Sequence, residues 1–519
     1  MASLRVAMDR PVFRNDLRAL AMTPQSDFLV IAPIDEPRID ALKSLLAEMN
    51  LPNSPGMVDP NNSIVPFADF DTLHYARFVI LEDQTLGDFA ELGGLVPQYP
   101  ITLAFLGDCD GPANNFLASL AQHPTAAAGL RRIFEYCKDF KADTDLLAWM
   151  KRHKRRPAAA YVNWIGRTVR QIREEAKLRS ALVNELFTYV RDNPAAEDDV
   201  RGVRDHLIGF VDRHAELKAQ PPQPTPIGWC VRNVLHFAIV PGLLILPWLL
   251  AIPFLDPFPR RFFWAVIPYL VLGAGVFVFL IRRTVASFAV LTVLGLSLIP
   301  FFFLFPLLLI PLAFMIIISV AILRWYEKNE PEVSIPRPTQ SHDAQLAALE
   351  DHDVTNQFTA IGSLKPNRFR RWMAIVILWF INYGARHVYN KGFLARIRSI
   401  HFARWVFLDG KRRLLFTSNY DGSRQAYMDD FINKVGWGLN LAFGSGFGYP
   451  RCNWLIKDGA KNELRFKDTN RRHQIATQVW YKAYPGLTVF DLARNARVRQ
   501  GLERPTMSDA EIRAWLRDL

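Results

Sequence analysis

A string of nine residues occurs twice in this chain of 519, and that recurrence limits the fold more than any other feature. Leu73 to Leu81 reads LHYARFVIL, and Ile400 to Leu408 reads IHFARWVFL. His, Ala, Arg, Val and Leu coincide, and the remaining positions exchange like for like. Downstream, FLGDCDG at Phe105 to Gly111 aligns with FTSNYDG at Phe416 to Gly422, placing Asp108 opposite Asn419 and Phe116 opposite Tyr427. Two matched blocks in the same order argue for an internal duplication. The segment QTLGDFAELGGLVPQYP accounts for the longer spacing in the first copy.

Periodicity and breakers predict the elements within each copy. In the first, DFLVIAP reads as a strand, EPRIDALKSLLAEM as a helix, LHYARFVIL and ITLAFLG as paired strands, PANNFLASLAQ as a helix and LRRIFEYC as a last strand. In the second, FTAIGSL, a helix from Asn367 to Tyr389, IHFARWVFL, RRLLFTSN, the helix SRQAYMDDFINK and a strand near Gly438 to Phe443 repeat that order. Each copy then has the β-α-β-β-α-β order of a ferredoxin-like sandwich, with one sheet face left bare. The expected fold class is α+β: a duplicated ferredoxin-like pseudo-dimer whose bare sheet faces meet, interrupted by a four-helix transmembrane segment.

That segment is expected from charge. No charged residue occurs from Asn233 to Leu255, from Phe262 to Ile281 or from Thr284 to Leu323. The third stretch has 40 residues, which as one helix would reach about 60 Å against a hydrocarbon thickness of roughly 30 Å. A turn between Pro300 and Pro306 gives four spans; one kinked helix gives three. Copies that pair must lie on one side of the bilayer, which favours the even number. Lys365 to Arg404 holds nine Lys/Arg and no Asp/Glu, so the positive-inside rule places both termini in the cytoplasm and the protein in the cell membrane as a multi-pass chain. Within that basic stretch, WMAIVILWFINY reads either as an in-plane helix on lipid or as a buried helix of the soluble body. The spans lack Asp, Glu, Lys and Arg, which favours anchoring over transport. The domains so defined are 1–145 and 354–460 for the two copies, 146–226 for a helical extension, 227–326 for the membrane region, 327–353 for an acidic tether and 461–519 for a C-terminal extension.

A mean hydropathy of +0.04 therefore averages two opposed materials. The net charge of +12 is accounted for by basic residues facing anionic lipid, and no nucleic-acid-binding motif is present. The N-terminus has no secretory signal pattern. Cys109, Cys137, Cys230 and Cys452 form no CxxC pair, so neither a zinc site nor a disulfide framework is expected.

The residues that could carry chemistry sit in the repeated blocks. Asp110 and Asp421 close the third strand of each copy in a D-G pair; such an Asp either caps the following turn or stands at a cleft for acid/base work. Arg77 and Arg404 need partners if buried, Asp110 and Asp421 being the candidates. His74 and His401 lie three residues before these arginines and by strand parity face the opposite side, either as satisfied core histidines or as cofactor ligands. Gly107, Asp108, Cys109, Asp110 and Gly111 form a G-x-x-D-G pattern, which on a duplicated ferredoxin-like body resembles the dye-decolourising peroxidases and the wider dimeric α+β barrel proteins. That resemblance implies haem as cofactor, Asp110 assisting peroxide cleavage, a distal Arg from Arg77 or Arg404, and a proximal His from His401 or His473. Ser418 departs from the pattern in the second copy. Two functions follow as expectations: a membrane-anchored haem-peroxidase-type oxidoreductase acting on an apolar small molecule, or a non-catalytic module binding a small molecule or lipid, with the bilayer as partner.

Overall fold

The computed structural model describes residues 22–91, 96–194, 199–221, 223–251, 306–330 and 336–519. The first half runs β1 (Gln25–Pro33), α1 (Ile39–Ala47), β2 (Asn50–Leu51), β3 (Ser54–Val58), β4 (Leu73–Leu81), α2 (Asp88–Glu91), β5 (Thr102–Asp110), α3 (Ala113–Gln122), α4 (Pro124–Phe134), α5 (Leu146–His153) and β6 (Ala159–Val162). Helices α6 (Val169–Asp192), α7 (Val200–Arg213), α8 (Ile227–Ala251), α9 (Pro306–Asn329) and α10 (Gln340–Ala347) follow. The second half contains β7 (Thr355–Ser363), α11 (Arg368–His387), β8 (Ile400–Leu408), β9 (Arg413–Asp421), α12 (Arg424–Phe443), β10 (Cys452–Asn453), β11 (Lys457–Asp458), α13 (Glu463–His473), β12 (Val479–Lys482), α14 (Val489–Glu503) and α15 (Asp509–Leu516).

Two sheets with matching centres organise these elements. One has the order β1-β5-β4-β12-β3-β2, the other β7-β9-β8-β6. Register matches residue for residue: Gln25 lies opposite Asp110 as Thr355 lies opposite Asp421. Leu29, Val79 and Leu106 of the first sheet pack directly on Val406, Leu408 and Leu415 of the second, so the sheets face each other. Their outer faces are covered by helices, with Phe78, Leu117 and Trp149 in one core and Phe358, Leu378 and Tyr427 in the other.

The fourth strand of each sheet comes from the other half. β12 pairs with β4, Tyr481 opposite Ala76, while β6 pairs with β8, Tyr161 opposite Ala403. This corrects the expected fold class: neither half closes a ferredoxin-like unit by itself. The strands expected at LRRIFEYC and Gly438 to Phe443 are helical, lying mostly in α4 and wholly in α12. Pro124 stands at the first turn of α4, where its missing N–H costs nothing, and the preceding His123 side chain caps Ala126 N–H. Residues 146–226 and 461–519 are likewise more than appendages, since they supply the exchanged strands and the packed pair α6 and α14.

The transmembrane segment is the larger correction. Among the described residues no helix is long and apolar enough to cross a membrane. Helix α8 is tied by its first half to α11: Tyr383 donates to Phe237 O (2.9 Å), Arg386 to Asn233 Oδ1 (2.7 Å), and His236 meets His387 (2.8 Å). Helix α9 ends on the body, where the buried Glu327 carboxylate accepts Trp454 N–H (2.9 Å) and Leu455 N–H (2.7 Å). Polar groups thus hold on the α+β body the start of α8, which hydropathy assigned to the bilayer, and the end of α9 just beyond its expected span. The remaining expected spans, within 252–305, lie outside the described residues. The multi-pass cell-membrane localisation and its topology fall with this finding.

Candidate functional site

Each repeated block builds the same cluster. In β4 the register slips between Leu73 and Tyr75, and in β8 between Ile400 and Phe402, so each repeated histidine sits at a β-bulge. A bulge breaks the alternation of side chains and re-aims the residue it carries, which is why strand parity misjudges His74 and His401. His74 Nε2 donates to Asp110 Oδ1 (2.9 Å) and His401 Nε2 to Asp421 Oδ1 (2.6 Å). The other carboxylate oxygen accepts a helix's first N–H, Val169 N on Asp110 Oδ2 (2.9 Å) and Val489 N on Asp421 Oδ2 (2.8 Å). A carboxylate at a helix N-terminus satisfies an otherwise orphan donor and is favoured by the helix dipole. Each Asp of the D-G pair therefore staples the histidine of the neighbouring strand to the start of α6 or α14.

A carboxylate only accepts, so Nε2 carries the proton and the His74 Nδ1 of a neutral ring accepts from Tyr484 Oη (3.1 Å). Burial pushes the Tyr484 and Tyr75 hydroxyls well above the usual tyrosine range. His74, His401, Asn163, Arg167 and Tyr484 line a cavity of about 30 Å³, room for a water molecule or two.

The arginines do not pair with Asp110 and Asp421. Each crosses between the sheets. Arg404 donates to Gly107 O (3.0 Å) and to Asp108 Oδ1. Arg77 donates to Phe358 O (3.0 Å), Thr359 Oγ1 (2.9 Å), Ser418 O (3.1 Å) and Asn419 Oδ1. Both side chains are fully buried. Burial, with Arg404 close by, lowers Arg77 to about 9, so it stays charged at neutral pH. Burial raises the Asp108 carboxyl despite the pull of Arg404.

These residues do not fit haem. A cofactor of that size needs a pocket in the range of about 300–1,000 Å³, ten times the space beside the two histidines. His473, the other proximal candidate, lies apart on α13; its Nδ1 donates to Thr469 O (2.8 Å) and its ring rests on Gly362, where a Cβ would come within 2.4 Å of it. Among the described residues His473 has no hydrogen bond to either arginine.

Space for a ligand exists elsewhere, where the sequence offered no motif. A cavity of about 730 Å³ lies between Ile31 and Pro33 of β1, Ile375 and Trp379 of α11, and the turn joining β8 to β9. Arg155, Arg156, Lys411 and Arg413 line its wall, against one acid, Asp409. Asp409 is committed to Arg413 (2.5 Å), whose guanidinium also lies over the Tyr99 ring at 4.4 Å. Arg155, Arg156 and Lys411 are exposed, and among the described residues no carboxylate pairs with them. The available signal was two basic runs, KRHKRR at 151–156 and KRR at 411–413, far apart in sequence and joined only by the fold. Compared with known proteins, the chain matches no family model, no curated protein and no solved structure.

Proposed function

We propose that this protein is a non-catalytic binding module for an amphipathic anion: an apolar body such as an acyl chain, carrying a carboxylate or phosphate. The observation that supports it is the 730 Å³ cavity with an apolar floor and a basic rim in which Arg155, Arg156 and Lys411 pair with no carboxylate among the described residues. Its size is that of ordinary small-molecule sites. Arginine and lysine without carboxylate partners offer charge-assisted hydrogen bonds to an anionic head, while Ile31, Ile375, Trp379 and Phe407 take the apolar part. The catalytic alternative lacks such support, because both arginines and both cluster histidines are already bonded within the protein.

The test is a titration with an anthracene-labelled fatty acid and with the corresponding uncharged alcohol. The acid is expected to bind saturably, and Arg156→Glu with Lys411→Glu, both at exposed positions, to weaken it at least tenfold while moving the alcohol little. Non-saturable uptake, or an affinity unchanged by the charge reversals, overturns the reading.

A further inference from the structure

Among the packed positions at which the two halves differ, one leaves a hole in the second. In the first half Trp149, fully buried in the middle of α5, has its ring centroid 4.6 Å from Phe134, 5.2 Å from Phe140 and 4.2 Å from His153. Its indole N–H points to Asp139 Oδ1 at 3.3 Å.

Backbone pairing identifies the counterparts. The bridge between Val30 and Lys154 is repeated by Ala360 and Gln474, and that between Ile34 and Cys137 by Leu364 and Gly446. His153 bonds back to the carbonyl of Trp149 (3.0 Å) as His473 bonds back to that of Thr469 (2.8 Å). Thr469 therefore stands where Trp149 does, with Phe443 for Phe134, Tyr449 for Phe140 and His473 for His153.

Threonine does not fill that space. Phe443, Tyr449, Thr469 and His473 line a cavity of about 80 Å³ whose wall continues through Phe358 and Phe416. A single water needs only about 10–15 Å³ of such space, so the cavity is on the scale of an aromatic ring. Ser363 also lines it; its hydroxyl is 3% exposed as a residue and has no hydrogen-bond partner among the described residues. The register that sets Thr355 opposite Asp421 and Gln25 opposite Asp110 makes Pro33 the counterpart of Ser363, so the orphan hydroxyl belongs only to the half with the hole. Phe447, another lining residue, stacks on Phe89 at 3.9 Å.

We propose that this cavity is a binding site for a small planar aromatic molecule of indole size, which occupies in the second half the position that the Trp149 side chain occupies in the first, with the Ser363 hydroxyl as its polar contact. Space left in a protein interior by a missing large side chain is able to take up an aromatic molecule of matching size. The site is separate from the basic-rimmed cavity, and neither depends on the other.

Indole is the probe, added to the full-length protein and followed by thermal shift and by protein-to-ligand saturation transfer. It is expected to raise the melting temperature in a saturable manner. Thr469→Trp is expected to raise the melting temperature without ligand and to weaken indole binding at least tenfold. Should that variant fold poorly, Ser363→Leu, which carries a side chain into the same space, is expected to show the same loss; the Arg156→Glu and Lys411→Glu variants are expected to bind indole as the unaltered protein does. Absence of saturable indole binding, or binding undiminished in whichever cavity-filling variant folds, overturns the proposal.

Discussion

The two arginines that cross between the sheets occupy equivalent places and are satisfied in different ways. Arg404 meets a carboxylate, Asp108, plus one carbonyl. Arg77 meets the amide of Asn419 and, around it, two backbone carbonyls and the Thr359 hydroxyl. Asn419 Oδ1 also accepts from Trp480 Nε1 (3.1 Å). Asp108 leaves Oδ2 buried with no hydrogen-bond partner among the described residues. A buried guanidinium thus needs enough acceptors rather than an opposite charge, and the charged version carries its own cost, because both ions are taken out of water.

Breaking each clasp in turn sharpens this comparison. Arg404→Met is expected to be the most damaging, by about 3–5 kcal/mol, because it strands a buried carboxylate. Arg77→Met removes a cation but leaves only neutral acceptors unsatisfied, at about 1–3 kcal/mol. Denaturant midpoints of the two variants, read with their slopes to detect loss of two-state behaviour, give the order directly. Equal losses, or a larger one for Arg77→Met, would mean that the partner's charge is not what separates the two halves.

The histidine staples invite a parallel comparison. Asp421→Ala and Asp110→Ala each leave a helix N–H and a buried histidine without an acceptor, and each is expected to cost about 1–3 kcal/mol. His74 keeps Tyr484 as a partner when Asp110 is removed. The Asp421 variant is therefore expected at the upper end of that range and the Asp110 variant at the lower, measured by the same midpoints. The reverse order would show that Tyr484 contributes nothing to holding His74.

How much of this was legible follows from the length of each signal. The strands LHYARFVIL and IHFARWVFL are β-branched, aromatic and uncharged apart from Arg and His, and each spans its predicted nine residues. The exchanged strands AAYV and VWYK have four residues each, too short for any period to emerge, and their pairing is with the far half of the chain. LRRIFEYC carries aromatic and branched residues that suit a strand, but Pro124 and the His123 cap begin a helix ahead of it and packing keeps it helical. The Asp–His staple was invisible because a histidine three residues before Arg looks opposite-facing until a bulge is inserted. Long apolar runs overrode the polar residues Asn233 and His236 at the start of α8, which the fold uses to hold that helix on α11.

The smallest expected effect concerns the carboxylate itself. Asp108→Asn keeps an oxygen for Arg404 and removes the charge, turning the first clasp into a likeness of the second, so at neutral pH stability is expected to change by only about 1 kcal/mol in either direction. The pH dependence separates the two clasps more clearly. Burial raises the Asp108 carboxyl above its ordinary 3.8 in the folded protein. A raised acid binds its proton more tightly when folded; its contribution is fully present below 3.8 and is lost as pH rises through the elevated value. Relative to Asp108→Asn, the unaltered protein is therefore expected to lose stability as pH climbs from about 4 toward neutrality, whereas a paired carboxylate with a lowered value would gain it. Unfolding free energies of both proteins across that window decide the sign. A difference that stays flat, or that runs the other way, would mean that Arg404 fully compensates the buried charge and that the two clasps are energetically alike.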